Sequence, residues 1–503
     1  MNKVLILSLF LIILWSPIIY SETTYTYPLS VSCGDITSNE ILIWLRGNYP
    51  SKAIVEYSYN KLFSTPKRLE ELTLIEDYDF MGKVLITGLK PSTQVFYRVY
   101  FSDLKNTSII EGPIYGSCKT APNDTKKNIR FLWGSDTAGQ SFGINKGWGG
   151  MKIFKSMLLR SPDFFINTGD NIYADIPIQS TIRLDENRVW NNIITEEKSH
   201  IAQTLADFRG NYRYNLLDDN YRRFIASTAV LSTWDDHETL NNWYPGEILD
   251  DERYANKNVD ILSAYARKAF FEYTPIRQDP SAPDKIYRSF NYGPLLDIFI
   301  LDLRSHRGPN TETTQTSPNE MSKILGGNQL EWLKNGLRNS KAQWKVIVSS
   351  QPIGLIIEDG RGSYDGIANY DGKPLGRELE IANLLAFLSQ NNVKNIVFLT
   401  GDVHYAAAIY YSPEKAQFKT FNPFYEFISG PLNAGTFGPN KLDNTFGPSV
   451  LFQKTPNKNK SNLSPFNGLQ FFGEVEINKN GAFTVFLRDI MNRIIYKQEL
   501  NAK

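Results

Sequence analysis

Cysteine and histidine are scarce in this chain: its 503 residues include two cysteines and four histidines. Two thiols exclude any zinc site built from several thiolates, so metal chemistry here must use oxygen and imidazole ligands. An excess of charge of one sign is also missing, because 54 Lys and Arg stand against 53 Asp and Glu. A global field that draws the chain to nucleic acid or to an anionic membrane is therefore excluded, although a local basic cleft is not.

Long apolar runs are missing after the first residues of the chain. Met1 to Lys3 form a positive end, Val4 to Trp15 an apolar core, and Ser16-Pro17 a breaker, which is the pattern of a secretory signal peptide. We predict a signal peptide at residues 1–21 and a secreted or periplasmic protein without a stable membrane span after cleavage. An uncleaved anchor is the alternative, since the run is close to the ~17-residue lower limit of a spanning helix.

The length of the mature chain predicts two domains rather than one core. Residues 25–122 contain short β-branched and aromatic segments separated by turns, which predict a small β-sandwich: 40–46, 53–59 and 94–100. Residues 88–97 resemble the corner of fibronectin type III-like modules, in which a turn leads into a strand with a core aromatic. Cys33 and Cys118 lie near the two ends of this domain, so either a disulfide closes it or two thiols are buried.

A polar, proline-containing stretch at residues 121–127 marks the predicted boundary, and residues 128–503 form the second domain. Its strands are short and nearly all apolar, as expected of strands covered on both faces: 129–133, 164–166, 229–231, 298–301, 346–348 and 396–399. Helices with apolar residues at helical spacing alternate with them: 151–159, 261–271, 329–337 and 378–388. The long polar stretch 181–221 is predicted to be partly helical and to cover the sheet as a cap.

Polar residues directly follow five of these strands, and Asp170 is the centre of the pattern. The five segments are Gly134–Asp136, Gly169–Tyr173, Trp234–Glu238, Ser350–Pro352 and Gly401–His404. Ligands of open α/β sheets collect at the carboxyl ends of strands, so these segments are expected to meet in one crevice. So many carboxylates could hardly stay ionised together without a cation, and metal binding is the simplest explanation.

Ligand chemistry divides the candidates into two sites. The first combines hard oxygens with one imidazole: Asp136, Asp170, Tyr173 and His404. Its phenolate favours a strongly Lewis-acidic ion such as Fe(III). The second consists wholly of oxygen ligands: Asp170, Asp236, Gln351 and Asp402. Such a set suits Ca, Mg or Mn better than Zn, and Asp170 would bridge two metals ~3.5–4 Å apart that hold a phosphate between them.

The order Gly-Asp-x-x-Tyr, Asp-Asp-His-Glu, Gly-Asp-Val-His resembles the calcineurin-like metallophosphoesterases, and among them the alkaline phosphatase D (PhoD)-like family. The resemblance covers nearly the whole mature chain. It implies a fibronectin-like leading domain and a catalytic domain of two β-sheets flanked by helices. Asp236 and Asp402 stand where the wider superfamily has Asn and His, swaps that are typical of phosphatase D-like sequences and imply calcium in the second site.

The chain departs from the better-known members of that family at Asp136, where they carry a cysteine that binds iron. The purple acid phosphatase branch uses an aspartate there, so a metal site survives while the identity of its ion is left open. The resemblance implies a dinuclear centre of Fe(III) with Ca(II), with Mg, Mn or Zn as alternatives. It further implies hydrolysis of small or polymeric phosphate mono- or diesters by a metal-bound hydroxide. We expect a monomer that meets nucleic acid only as a substrate.

Two further residues are candidates for catalysis. His237 is either a structural histidine or, as in the family, a residue that approaches the phosphate as an acid or electrostatic stabiliser. Asp235 is expected to orient such a group rather than to bind metal. Arg304, which also follows a strand, either points its guanidinium at substrate phosphate or holds a loop through a salt bridge.

Two rival functions use the same residues differently. One is a phospholipase-D-like or nucleotide-hydrolysing enzyme of the same fold, whose stretch 181–221 selects the substrate. The other is a non-catalytic surface adhesion protein with a decayed metal site. The intact set of predicted ligands argues against decay, since each position carries a side chain that can bind a cation.

Overall fold

The computed structural model of the protein describes residues 27–360 and 362–503, so the predicted signal peptide lies outside the described residues. The first strands are short because turns interrupt the chain every few residues. They are β1 (Ser30–Gly34), β2 (Ile41–Arg46), β3 (Ser51–Ser58), β4 (Lys67–Arg68), β5 (Leu72–Leu74), β6 (Met81–Ile86), β7 (Gln94–Asp103) and β8 (Ile110–Lys119). In β3 buried and more exposed residues alternate, so one face of the strand packs on a core.

The remaining strands follow from Ile129 onward. They are β9 (Ile129–Gly134), β10 (Phe164–Asn167), β11 (Thr181–Arg183), β12 (Val189–Asn191), β13 (Ala229–Ser232), β14 (Arg288–Asn291), β15 (Leu296–Ile300), β16 (Trp344–Val348), β17 (Ile396–Thr400), β18 (Ala406–Tyr411), β19 (Phe424–Ile428), β20 (Pro448–Lys454), β21 (Phe471–Ile477), β22 (Phe483–Asp489) and β23 (Ile494–Leu500). The helices are α1 (Lys152–Leu158), α2 (Leu205–Asn215), α3 (Asp219–Ser227), α4 (Val259–Tyr273), α5 (Gly327–Asn339) and α6 (Glu378–Gln390). No helix in the described ranges is long and apolar enough to cross a membrane.

Two large sheets form most of the fold. One has nine strands in the order β23-β22-β21-β9-β10-β13-β1-β2-β6, and the other has seven in the order β14-β15-β16-β17-β19-β18-β20. Apolar side chains of both sheets form one core, with Phe131 and Ile166 from the first and Ile300, Val348 and Leu399 from the second. Helices α1 to α4 pack on the outer face of the nine-stranded sheet, and α5 and α6 on that of the other. The result is a layered helix–sheet–sheet–helix arrangement.

The leading region, residues 27–122, is continuous with the second domain. Strands β3, β4, β5, β7 and β8 form a separate five-stranded sheet, whereas β1, β2 and β6 extend the nine-stranded sheet because β1 pairs in parallel with β13. A disulfide joins Cys33 on β1 to Cys118 on β8 and so links the two sheets of this region. Of the two alternatives for the cysteines, the disulfide is therefore confirmed.

The predicted strands and helices named above are all present, with ends shifted by a few residues. The stretch 181–221 is partly helical as predicted, and its helix α2 starts with a capping box between Thr204 and Asp207. Its aromatic residues Trp190, Tyr212 and Tyr214 are buried. Strands β18 to β23 were not predicted, and they complete both sheets.

Candidate metal centre

Parallel strands deliver the predicted ligands to one edge of the two sheets. Strands β9, β10 and β13 lie side by side in parallel, so their last residues Gly134, Asn167 and Ser232 are in register. The loops that follow carry Asp136, Asp170 and Asp236. Strands β16 and β17 are parallel neighbours in the other sheet, and the loops after them carry Gln351, Asp402 and His404. The expected convergence is confirmed by groups of Asp and His ligand atoms that lie within 4.8 Å of one another.

The ligand loops have an unusual backbone. Asp136, Asp170, Asp402 and His404 all have positive φ, between 50° and 68°. Non-glycine residues rarely adopt this conformation, although Asp, Asn and His do so most readily, and it concentrates at functional sites. The loops also hold one another in place: Thr137 N donates to Asp170 O at 3.0 Å, and Asp402 N donates to Ser135 Oγ at 3.3 Å.

The first cluster contains Asp136, Asp170, Tyr173 and His404. His404 Nδ1 is 2.6 Å from the carbonyl oxygen of Gly435, which fixes the ring and turns Nε2 inward. Nε2 lies 2.9 Å from the hydroxyl of Tyr173 and 3.6 Å from Asp136 Oδ1. The Ser135 hydroxyl donates to the other oxygen, Asp136 Oδ2, at 2.7 Å. One carboxylate oxygen, one phenol and one imidazole nitrogen therefore face a common point.

Two glycines make room for this cluster. A Cβ at Gly139 would lie 2.1 Å from Cγ of the Tyr173 ring, and a Cβ at Gly430 would lie 2.3 Å from Asp136 Oδ2. Contacts this short do not occur in folded proteins, so any other residue would displace the phenol or the carboxylate. The backbone at these two positions thus forms part of the wall of the first cluster.

The second cluster consists of oxygen atoms without partners. Five side chains at this edge of the sheets each have a buried oxygen that makes no hydrogen bond: Asp170 Oδ2, Asp235 Oδ2, Asp236 Oδ1, Gln351 Oε1 and Asp402 Oδ2. Buried polar atoms are normally satisfied, and leaving one unsatisfied costs about 1–3 kcal/mol. All five are acceptors, so a cation is the group that satisfies them together. The residues therefore fit a hard metal ion.

The electrostatics of the carboxylates agree with this fit. Burial, followed by the charges of Asp236 and Asp235, raises the pKa of Asp170 well above its usual range. Burial and the same two neighbours raise the pKa of Asp402. Burial, followed by the charge of Asp170, raises the pKa of Tyr173 as well. Without a cation these groups cannot all be ionised, so the site is built to hold positive charge.

His237 lies next to both clusters. A ring nitrogen of His237 is within 4.8 Å of carboxylate oxygens of Asp170 and Asp236. Its Nδ1 is 2.8 Å from Asp175 Oδ1, and Asp175 Oδ2 accepts from Asn241 N at 2.9 Å. Burial disfavours the imidazolium, but the charges of Asp175 and Asp236 outweigh burial and raise the pKa of His237 to about 10. Asp175 therefore fixes the orientation of the ring beside both clusters, and its charge favours the protonated imidazole.

Arg304 is fully buried and faces carboxylates on every side. Nε donates to Asp235 Oδ1 at 2.6 Å, and the two terminal nitrogens donate to the two oxygens of Asp365 at 2.8 Å each. Nη2 is also 3.8 Å from Asp236 Oδ1. This is the salt-bridge geometry of the second alternative for Arg304. Contact of its guanidinium with substrate phosphate stays a prediction.

Asp365 is the centre of a buried cationic network that the sequence analysis missed. Arg307 Nη1 lies 3.1 Å from Asp365 Oδ1, and Arg377 donates to the carbonyl of Asp365 at 2.8 Å. Burial raises the pKa of the Asp365 carboxyl, but Arg304 and Arg307 outweigh burial and hold it well below its usual range. Asp365 Oδ2 also accepts a hydrogen bond from the Gln351 amide. It is thus an ionised carboxylate beside the second cluster.

Most predicted site residues are brought together, with one addition at Asp235. Asp235 was expected only to orient a neighbour, and its Oδ1 does accept from Arg304. Its Oδ2 is free, however, and it lies in a group with Asp236 and Asp402 whose ligand atoms are within 4.8 Å. Asp175, five residues after Asp170 in the same loop, was also missed as a partner of His237.

Comparison with known proteins identifies the family. The family model of the PhoD-like phosphatases matches residues 131–484, and the model of the N-terminal domain of PhoD-like phosphatases matches residues 16–122. Alkaline phosphatase D of Bacillus subtilis (strain 168) is 27% identical over 450 residues, which are 84% of this chain and 72% of that protein.

Two solved structures share the fold. The structure of PhoD has a TM-score of 0.70 at 19% identity and covers 96% of this chain and 94% of its own. A purple acid phosphatase from yellow lupin seeds has a TM-score of 0.56 at 12% identity, with 94% and 73% covered. The match to the structure of PhoD spans nearly the whole chain, including the leading region.

Proposed function

The chain belongs to the PhoD-like phosphatase family, and on that premise we propose that it is an exported, metal-dependent phosphoesterase that hydrolyses phosphate mono- or diesters. The observation that carries the proposal is the set of five buried acceptor oxygens without partners, next to a cluster that shares Asp170. Such a pair of sites is the arrangement that holds two metal ions. We also propose that the chain acts as a monomer.

We further propose Fe(III) in the first cluster and Ca(II) in the second, with Mg, Mn or Zn as alternatives. The phenol of Tyr173 and the imidazole of His404 support the more Lewis-acidic ion in the first cluster. The oxygen-only set of Asp236, Gln351 and Asp402 supports a hard divalent ion in the second. When bound, the ions supply Lewis acidity that polarises the phosphate and activates water.

The protein groups around the clusters have distinct tasks. Asp170 belongs to both groups of candidate ligands and would hold both ions. His237, kept in place by Asp175, carries a proton at Nε2 and donates it to the leaving oxygen or stabilises charge on the phosphate. Arg304 acts through Asp235 and Asp365, compensating the charge of the second cluster. These roles need no movement of the described loops, which are already joined by hydrogen bonds.

Export and the nature of the leading domain complete the proposal. Export is supported by the apolar leader of the sequence, residues 1–21, and by the disulfide between Cys33 and Cys118. A fibronectin type III-like sandwich is supported by the division of the leading strands between two sheets that the disulfide joins.

The test combines metal analysis with hydrolysis assays on the purified mature protein. We expect two metal ions per chain and hydrolysis of p-nitrophenyl phosphate or bis-p-nitrophenyl phosphate that chelator abolishes and metal restores. The ratio of the two rates sorts monoester from diester preference. A protein that binds no metal and remains inactive after reconstitution with iron and calcium would overturn the proposal.

A further inference from the structure

We propose that Asp365 is a positioning residue that holds the amide of Gln351 with its oxygen facing the second cluster. The inference rests on the proposed function, because it concerns how this chain builds one of the two metal sites. Asp365 follows no strand and belongs to none of the groups of candidate ligands, yet it links Gln351 to the arginine network. Its effect is indirect, through Gln351.

The orientation of Gln351 is defined by its two ends. Gln351 is fully buried, and its Nε2 donates to Asp365 Oδ2. Its Oε1 is buried and has no hydrogen-bond partner. An amide whose nitrogen donates to Asp365 must point its oxygen away from Asp365. The free oxygen is then available to a cation, as required of a neutral ligand in an oxygen-only site.

The contacts with arginine determine how Asp365 can bond to Gln351. Arg304 forms a two-point ion pair with its carboxylate, and Arg307 lies 3.1 Å from the same group. Both oxygens of Asp365 accept a hydrogen bond from Arg304, so the oxygen that meets Gln351 acts as an acceptor. The Gln351 group that meets it must therefore be the amide NH₂. An inverted amide would set two oxygens against each other in a buried place.

The position of Asp365 is itself fixed from the backbone side. Arg377 donates to the carbonyl oxygens of Tyr364 and Asp365, each at 2.8 Å, and Arg307 also donates to the carbonyl of Asp365. Burying charged groups is costly unless each is paired, so this network is well suited to hold one carboxylate in one place. Through Arg304 the same network reaches Asp235 and Asp236.

The first test is Asp365→Asn. Oδ1 of Asp365 accepts from Arg304 and also lies 3.1 Å from Arg307 Nη1, so the new amide is expected to keep its oxygen at that position. Its NH₂ then takes the place of Oδ2, where it faces Gln351 and demands an acceptor. We expect Gln351 to invert, which withdraws its oxygen from the second cluster. Binding of Mn²⁺ to metal-stripped protein is measured by the EPR signal of free Mn²⁺. We expect the affinity for the second Mn²⁺ equivalent to fall at least about tenfold. The first equivalent should bind as in the unaltered protein.

The second test exchanges the hydrogen-bond donor and acceptor between positions 351 and 365. In the protein with both Asp365→Asn and Gln351→Glu, one oxygen of the new carboxylate accepts from the new amide and the other faces the cluster. The formal charge equals that of the natural protein. We expect binding of the second Mn²⁺ to recover to within about threefold of the natural protein, and Ca²⁺ to displace it. Gln351→Glu alone sets two carboxylates together and should also weaken the second equivalent.

The outcomes separate the proposal from its premise. Asp219→Asn, on a side chain that is 70% exposed, is the matched control and should change neither equivalent. If Asp365→Asn binds the second Mn²⁺ as tightly as the natural protein does, the positioning role is wrong. It is also wrong if the double variant unfolds cooperatively but does not recover binding of the second Mn²⁺. If Asp365→Asn does not fold, Gln351→Glu and the double exchange decide the question. A natural protein that binds no metal would instead overturn the proposed function.

Discussion

The two clusters share Asp170, but they are framed by opposite kinds of neighbour. Around the first, the outer contacts are neutral: the hydroxyl of Ser135 and the carbonyl of Gly435. Around the second, the outer contacts are charged, with Arg304 bonded to Asp235 and Asp365. Arg304 therefore gives the second cluster a guanidinium that the first cluster lacks, whereas His237 lies next to both clusters. This difference supports a trivalent ion in the first and a divalent ion in the second.

The largest effect on hydrolysis is expected at Asp170, because both clusters share this residue. Asp170→Asn keeps the size of the side chain but removes the charge that both ions use. We expect hydrolysis to fall about 10³-fold or more and both metal equivalents to be lost. Elemental analysis beside the rate measurement checks this, with Asp219→Asn as control. Loss of a single equivalent would mean that the clusters do not share Asp170.

The second prediction concerns a buried carboxylate that has no arginine. Glu426 lies under the loop that carries Gln351, and it accepts from Ile353 N at 2.9 Å and from the Tyr411 hydroxyl at 2.5 Å. Burial raises its pKa to about 7, the opposite of what the arginines do to Asp365. A raised folded pKa stabilises the protein below about pH 4.5, and this contribution is lost as pH rises to about 7.

Glu426→Gln should remove that pH dependence. We expect the free energy of unfolding of the natural protein to fall by about 3 kcal/mol more than that of the variant between pH 4.5 and pH 8. Denaturant unfolding at several pH values measures the difference. Glu414→Gln, on an exposed side chain, should retain the natural slope. Equal slopes in Glu426→Gln and the natural protein would contradict the assignment.

The third prediction concerns a substitution that alters the first cluster and leaves the second unchanged. Tyr173→Phe removes the hydroxyl that lies 2.9 Å from His404 Nε2 and leaves the second cluster intact. We expect hydrolysis to fall about 10²-fold, with weaker iron binding and unchanged calcium. A visible absorption band from iron-bound phenolate should disappear with the hydroxyl. Tyr265→Phe, on a partly exposed side chain, is the control, and an unchanged band would exclude Tyr173 as an iron ligand.

Sequence reasoning found the candidate ligands because a simple physical rule places them. An apolar strand that ends in polar residues puts them at the carboxyl end of a parallel sheet, and this applies to Asp136, Asp170, Asp236 and Asp402. Asp365 follows no strand, and its importance comes from three arginines at distant positions in the chain. Nothing local signals such a partner. For Asp175, the short distance from Asp170 in one loop was a usable signal.

For the fold, too, the sequence predicted local elements but not contacts between distant segments. Periodicity predicted the buried strands and the amphipathic helices, because one-sided or two-sided burial leaves a pattern in each segment. The pairing of β1 with β13 joins segments about two hundred residues apart, and no local pattern specifies such a parallel neighbour. The leading region therefore looked like an independent sandwich, whereas three of its strands extend the catalytic sheet.

The smallest effect is expected outside both clusters, at Asp175. Its two oxygens accept from His237 Nδ1 and from Asn241 N, and Asp175→Asn leaves one acceptor for two donors. His237 then loses its fixed orientation and a compensating charge, while both metal ions stay bound. We expect kcat to fall about tenfold with little change in KM. Because His237 is proposed to protonate the leaving group, the loss should be greater for an alkyl phosphate than for p-nitrophenyl phosphate. An equal loss for both esters would assign His237 to charge stabilisation instead.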